Sequence, residues 1–94
     1  MASYAFDIDG TLTVETNGFG NFIYSRRTPN LTMIDNVNKL YNKGHMIILW
    51  TSRFEEDRKV TEEWLKKHNI KYHKLVMDKM YYDYLIDDKA ITLL

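Results

Sequence analysis

The sequence predicts an α/β fold, a mostly parallel sheet of about four strands flanked by helices, within one domain. Short apolar runs (Tyr4-Ala5-Phe6, Met46 to Trp50, Tyr72 to Met77, Tyr84 to Ile86) are separated in the first two gaps by stretches of helical periodicity. Strand–helix–strand–helix–strand order implies parallel pairing with right-handed crossovers. Two of the runs end in acid pairs, Asp7/Asp9 and Asp87-Asp88, and in open α/β sheets the carboxyl edge of the strands is where ligands bind. A chain of 94 residues has length for one core, burying about 60–65% of its unfolded surface.

Taken in order, Ser3 to Ile8 is the first strand. Leu12 to Pro29 lacks periodicity and holds Asn17, Gly18, Gly20 and Asn21, so it reads as a functional loop or small hairpin. Pro29 suits a first helical turn with Thr28 as N-cap. Leu31, Ile34, Val37, Leu40 and Tyr41 recur at helical spacing, and Gly44 ends that helix at C′. Met46 to Trp50 is continuously apolar, as in a strand buried on both faces. A second helix runs from about Glu55 to His68, burying Val60, Trp64 and Leu65, with acids early and Lys66, Lys67 and His68 late, as the helix dipole favours. Tyr72 to Met77 and Tyr84 to Ile86 are the last two strands. The residues between them reach roughly 23 Å when extended, whereas a crossover past three strand spacings needs about 14 Å sideways and the strand length besides. Unless that connection is made without a helix, the third strand is shorter or antiparallel.

Composition narrows the function classes. Thirteen basic and thirteen acidic residues cancel, so net charge favours neither nucleic acid nor an anionic membrane. Cysteine is absent, which excludes disulfides and thiolate metal sites and fits an intracellular compartment. No run approaches the ~20 residues of a membrane span, and the N-terminus lacks the features of a signal peptide; a cytoplasmic location is expected.

Two carboxylates two residues apart at a strand end raise one another's pKa unless a cation or a reaction uses them. With Thr51 and Lys79 at other strand ends, Asp7, Asp9, Asp87 and Asp88 describe a phosphoryl-transfer site. A carboxylate can attack phosphorus, and an acid beside it can protonate the leaving oxygen and then deprotonate water. Mg²⁺ accepts carboxylates, a carbonyl and phosphate oxygens. A lysine and a hydroxyl can hold the phosphoryl oxygens.

Asp7-Ile8-Asp9-Gly10-Thr11, Leu49-Trp50-Thr51, Lys79 and Leu85-Ile86-Asp87-Asp88 resemble, in order, the four motifs of the haloacid dehalogenase (HAD) superfamily of phosphatases. The resemblance covers nearly the whole chain. It implies a minimal Rossmann-like fold, with Asp7 as nucleophile and Asp9 as general acid/base and carbonyl ligand of Mg²⁺. It further implies Thr51 and Lys79, with Ser52, as phosphate-binding residues, and Asp87 and Asp88 as the rest of the metal shell. The third motif departs from the usual Gly-Lys-Pro, reading Asp78-Lys79-Met80. Motif order separates the chain from receiver domains, which place the acid pair first and the phospho-accepting aspartate later. Asp9 separates it from dehalogenases. Neither gap between motifs holds a folded cap, so the chain resembles capless members, and most of all the small phosphatase-like proteins found with capsular polysaccharide genes. Thr51-Ser52-Arg53 and Asp87-Asp88-Lys89-Ala90 carry that likeness.

The expectation is a Mg²⁺-dependent phosphomonoesterase acting on a small phosphorylated metabolite such as a sugar phosphate, or on a phosphate carried by something larger. Nucleic acid is disfavoured on charge and no membrane partner is expected. The alternatives are a polynucleotide end phosphatase, which an open site permits, and a non-catalytic Mg²⁺-binding module; a homo-oligomer stays open. Arg53 contacts a second anionic group of the substrate or pairs with Glu55, Glu56 or Asp57. Arg26-Arg27 meets an anionic substrate at the loop mouth or, as two adjacent loop arginines usually are, is solvated. Phe19, Phe22 and Tyr24 line a substrate edge, meet another subunit or pack over the sheet. Tyr81, Tyr82 and Tyr84 are expected to pack around the fourth strand, Trp50 and Trp64 in the core. His45, His68 and His73 lack ligand spacing.

Overall fold

The computed structural model describes residues 1–14 and 23–89. Its sheet has three parallel strands in the order β1 (Ser3–Phe6), β2 (Met46–Trp50), β3 (Lys74–Val76), joined by α1 (Leu31–Asn42) and α2 (Arg58–Lys67). Tyr4 pairs with Ile47, Phe6 with Leu49, and Trp50 with Val76.

Strand alternation divides β2 between two environments. Ile47 and Leu49 are fully buried in one cluster with Ile34 and Val37 of α1 and Trp64 and Leu65 of α2. Both helices therefore cover the same face of the sheet. The opposite face carries Ala5, Ile48, Trp50 and Val76, and Trp50 is 38% exposed. This corrects two expectations, that β2 is buried on both faces and that Trp50 is core; Trp64 is core as expected.

Helix ends differ in detail from their sequence reading. The N-cap of α1 is Asn30, whose Oδ1 accepts the Met33 amide at 3.2 Å, so Pro29 precedes the helix and Thr28 does not cap it. Leu31, in the first turn, faces solvent. Gly44 follows the helix with φ +91°, the left-handed C′ position that glycine takes without strain. The second helical stretch opens with a 3₁₀ turn over Glu55–Asp57 before α2, and Val60 is half-buried.

The base of the early loop is a two-stranded closure: Thr13 bridges Pro29, Val14 N donates to Thr28 O at 2.9 Å, and Asn30 N to Leu12 O at 2.8 Å. Asn17, Gly18, Phe19, Gly20, Asn21, Phe22 and Ala90 lie outside the described residues. The third strand is shorter than its apolar run and parallel. Tyr84 to Ile86 forms no strand, and Tyr84 and Ile86 are exposed. The tight link from Met77 is resolved in that way: without room for a full crossover, the segment stays irregular. Among the described residues no helix is long and apolar enough to cross a membrane.

Candidate active site

β1 ends at Phe6, and Asp7-Ile8-Asp9 turns away from the sheet. Ile8 O accepts the amides of Thr11, Leu12 and Thr13 at 3.1, 2.8 and 3.1 Å. Gly10 sits at φ +83°, a conformation that disfavours a Cβ, and its amide donates to the buried Thr13 hydroxyl at 3.0 Å. This turn buries Ile8 and leaves the flanking carboxylates partly exposed on one cleft of about 160 Å³, lined also by Tyr24, Thr51 and Ser52.

The two acids are held differently. Asp7 Oδ1 accepts the Ile8 amide at 2.8 Å, and Oδ2 lies 3.3 Å from Lys79 Nζ. Asp9 is clamped by Arg53, whose Nε is 2.9 Å from Oδ2 and Nη2 2.7 Å from Oδ1. Arg53 is buried; its Nη1 donates to Thr61 Oγ1 at 3.0 Å, and Thr61 in turn donates to Asp57 O at 2.8 Å. The Tyr24 ring lies under the guanidinium with Cζ 3.8 Å from its centroid, a desolvated cation–π contact. Burial first, then the Asp9 charge, push the Tyr24 phenol above its ordinary pKa. Arg27 Nε lies 3.7 Å from Asp9 Oδ1 and, among the described residues, has no hydrogen-bond partner. Arg53 thus pairs with neither Glu55, Glu56 nor Asp57, and Arg27 is half-buried against the site instead of solvated.

Backbone pairing beyond the strands delivers Lys79. Thr51 N donates to Val76 O at 3.0 Å, Asp78 N to Arg53 O at 2.8 Å and Lys79 N to Thr51 O at 2.9 Å. Asp78 adopts φ +62°, a left-handed conformation that aspartate tolerates better than most residues. Lys79 Nζ also lies 5.4 Å from the Trp50 ring centroid. Thr51 is buried on the cleft, its Oγ1 accepting the Arg53 amide at 3.2 Å.

Asp7 also lines a second cavity, about 470 Å³, with Trp50, Lys79, Tyr82, Asp87 and Lys89. Asp87 therefore lines a cavity together with the nucleophile candidate; Asp88 does not line either cavity. A hydrogen bond with the Asp88 side chain, and then the Lys89 amide, lower the Asp87 pKa. Among the described residues no group of three or more His, Cys, Asp or Glu is placed to hold a metal ion. The donor chemistry nevertheless fits Mg²⁺, which commonly takes one or two carboxylates together with substrate phosphate oxygens; Asp7 and Asp87 supply two. The Arg53 clamp and Arg27 were not assigned to Asp9 in the sequence reading. An arginine two residues beyond Thr51 is the available sequence signal.

Residues 2–89 match the family described as the polynucleotide kinase PNKP phosphatase domain. Among solved structures, an MCSG target from Vibrio cholerae is similar over 97% of this chain and 83% of its own, at 25% identity and TM-score 0.74. A chain of the Pnkp1/Rnl/Hen1 complex is similar over 93% of this chain and 31% of its own, at 25% identity and TM-score 0.71. A chain of the Pnkp1/Rnl/Hen1 RNA repair complex is similar over 89% and 27%, at 26% identity and TM-score 0.72. This chain spans less than a third of the length of those two chains. No curated protein matches the sequence.

Proposed function

The chain belongs to the family of the polynucleotide kinase PNKP phosphatase domain, among the HAD-like phosphatases, and on that premise we propose that it is a Mg²⁺-dependent phosphomonoesterase removing the phosphate from a polynucleotide end. The observation that carries the chemistry is the pairing of Asp7 with Lys79 at 3.3 Å on a cleft shared with Asp9. The family match supports the polynucleotide alternative over the sugar phosphate expected from the sequence.

In the first step an Asp7 carboxylate oxygen attacks phosphorus, the bond to the leaving oxygen breaks, and that oxygen takes a proton from Asp9. In the second, water attacks the aspartyl-phosphate, its proton passes to Asp9, and the bond to Asp7 breaks to release phosphate. Lys79 and Thr51 hold phosphoryl oxygens where charge accumulates. Arg53 orients the Asp9 carboxylate through two hydrogen bonds, which restricts it to one arrangement at the cleft. Mg²⁺, held by Asp7 and Asp87, would neutralise charge on the transferred group.

The zero net charge still favours a small metabolite, because no general attraction to a polyanion follows from it. Phosphate release from 3′- and 5′-phosphorylated oligonucleotides, set against hexose phosphates, decides between the two. The proposal expects faster release from oligonucleotide ends, falling as salt is raised. A preference for hexose phosphates with no salt dependence contradicts it.

A further inference from the structure

The segment following β3 sends Met80, Tyr81, Tyr82 and Tyr84 into solvent instead of packing them around a fourth strand, with Tyr81 86% and Tyr82 50% exposed. Two of these rings stand at defined places. Tyr81 lines the small cleft with Asp7 and Asp9. Tyr82 lines the larger cavity with Asp7, Trp50 and Lys79. Asp7 belongs to both cavities, so an aromatic ring lines each of the two spaces that meet at the nucleophile candidate. Either space gives the leaving group of a phosphomonoester seated on Asp7 a place beside a tyrosine.

We propose that Tyr81 and Tyr82 are specificity-determining residues that stack on unpaired bases next to the terminal phosphate of a single-stranded polynucleotide end. The inference rests on the reading of the site given above and deepens it. Flat rings with few rotatable bonds offer base-sized contact at small entropic cost, and every base presents a face to them. The larger cavity, about 470 Å³, falls within the range of sites that enclose drug-sized ligands, more than a phosphate alone requires. Lys89 on the same cavity is a cation that the phosphoryl site does not use and that can meet the adjoining backbone phosphate; with Asp7 and Asp87 balancing Lys79 and Lys89 there, the aromatic rings carry the recognition.

The test compares kcat/KM for two oligonucleotides with the same terminal phosphate, one with its terminal bases and one abasic at those positions. The wild type is expected to favour the base-bearing substrate by roughly tenfold or more, mainly through KM. In the double variant Tyr81→Leu, Tyr82→Leu the two substrates converge. Because the result is a ratio within each protein, a change in overall activity does not imitate it. A wild-type ratio near one, or a preference that survives both substitutions, overturns the stacking role while leaving the polynucleotide reading intact. Turnover of hexose phosphates without turnover of either oligonucleotide overturns that reading, and the inference with it.

Discussion

Arg53 grips Asp9 through both of its carboxylate oxygens, with Nη2 2.7 Å from Oδ1 and Nε 2.9 Å from Oδ2, and among the described residues no comparable clamp acts on Asp7. The guanidinium is buried and also meets the Thr61 hydroxyl and the Tyr24 ring. Asp9 is therefore part of what holds the fold together as well as a candidate acid/base, while Asp7 is bound by a partly exposed lysine pair and its neighbouring amide.

The two acids should accordingly differ in their effect on stability. Asp9→Ala leaves a buried guanidinium without its carboxylate and is expected to cost about 2 kcal/mol. Asp7→Ala removes a pair of the partly exposed kind and is expected to change stability by less than about 1 kcal/mol. Urea unfolding midpoints of the two variants check this, and equal midpoints would contradict it.

Asp78 supports Lys79 from a left-handed backbone, φ +62°. Asp78→Gly is expected to keep or slightly raise stability, whereas Asp78→Val forces a β-branched residue into that conformation. The two variants should differ by about 1–2 kcal/mol in unfolding free energy. Thermal denaturation reads the difference, and indistinguishable curves would mean that this turn relaxes without the positive φ.

Tyr24 supplies a pH dependence. Burial, followed by the Asp9 charge, raises its pKa, so the folded chain holds the phenolic proton more tightly than the unfolded chain does. That contribution is complete below the ordinary tyrosine pKa of about 10 and is lost as pH rises through the folded value. Tyr24→Phe keeps a ring under Arg53 and removes this titration; Tyr72, whose pKa burial also raises, still titrates in both proteins. Between about pH 9 and pH 11, stability measured by urea titration should fall less in the variant than in the wild type. A fall of the same size in both would contradict the assignment.

Much of this site was legible because its signals are local. Asp7, Asp9 and Gly10 sit within one turn, and the helical periods of Ile34/Val37 and Trp64/Leu65 locate the covered face. Relationships across the fold were not legible. The partner of Arg53 lies 44 positions away, whereas sequence proximity pointed to Glu55, Glu56 and Asp57. Trp50 belongs to an apolar run whose two sides look alike in sequence; only placing both helices on the Ile47 and Leu49 side leaves it exposed. Tyr84 to Ile86 carries strand-like composition, but a run so short gives no sign of whether the chain before it can complete a crossover. At Lys79 the departure from Gly-Lys-Pro gave no sign that the preceding Asp78 takes a left-handed backbone, φ +62°.

The central claim is that Asp7 is the nucleophile, and Mg²⁺-dependent phosphate release from a phosphorylated oligonucleotide end by wild type and Asp7→Asn tests it most directly. The substitution keeps the shape of the side chain and removes the attacking oxygen anion. Release is expected to fall by roughly 10³-fold or more, with the circular dichroism spectrum unchanged and no phosphate retained on the protein. Turnover in Asp7→Asn within a few-fold of wild type would show that another group attacks phosphorus.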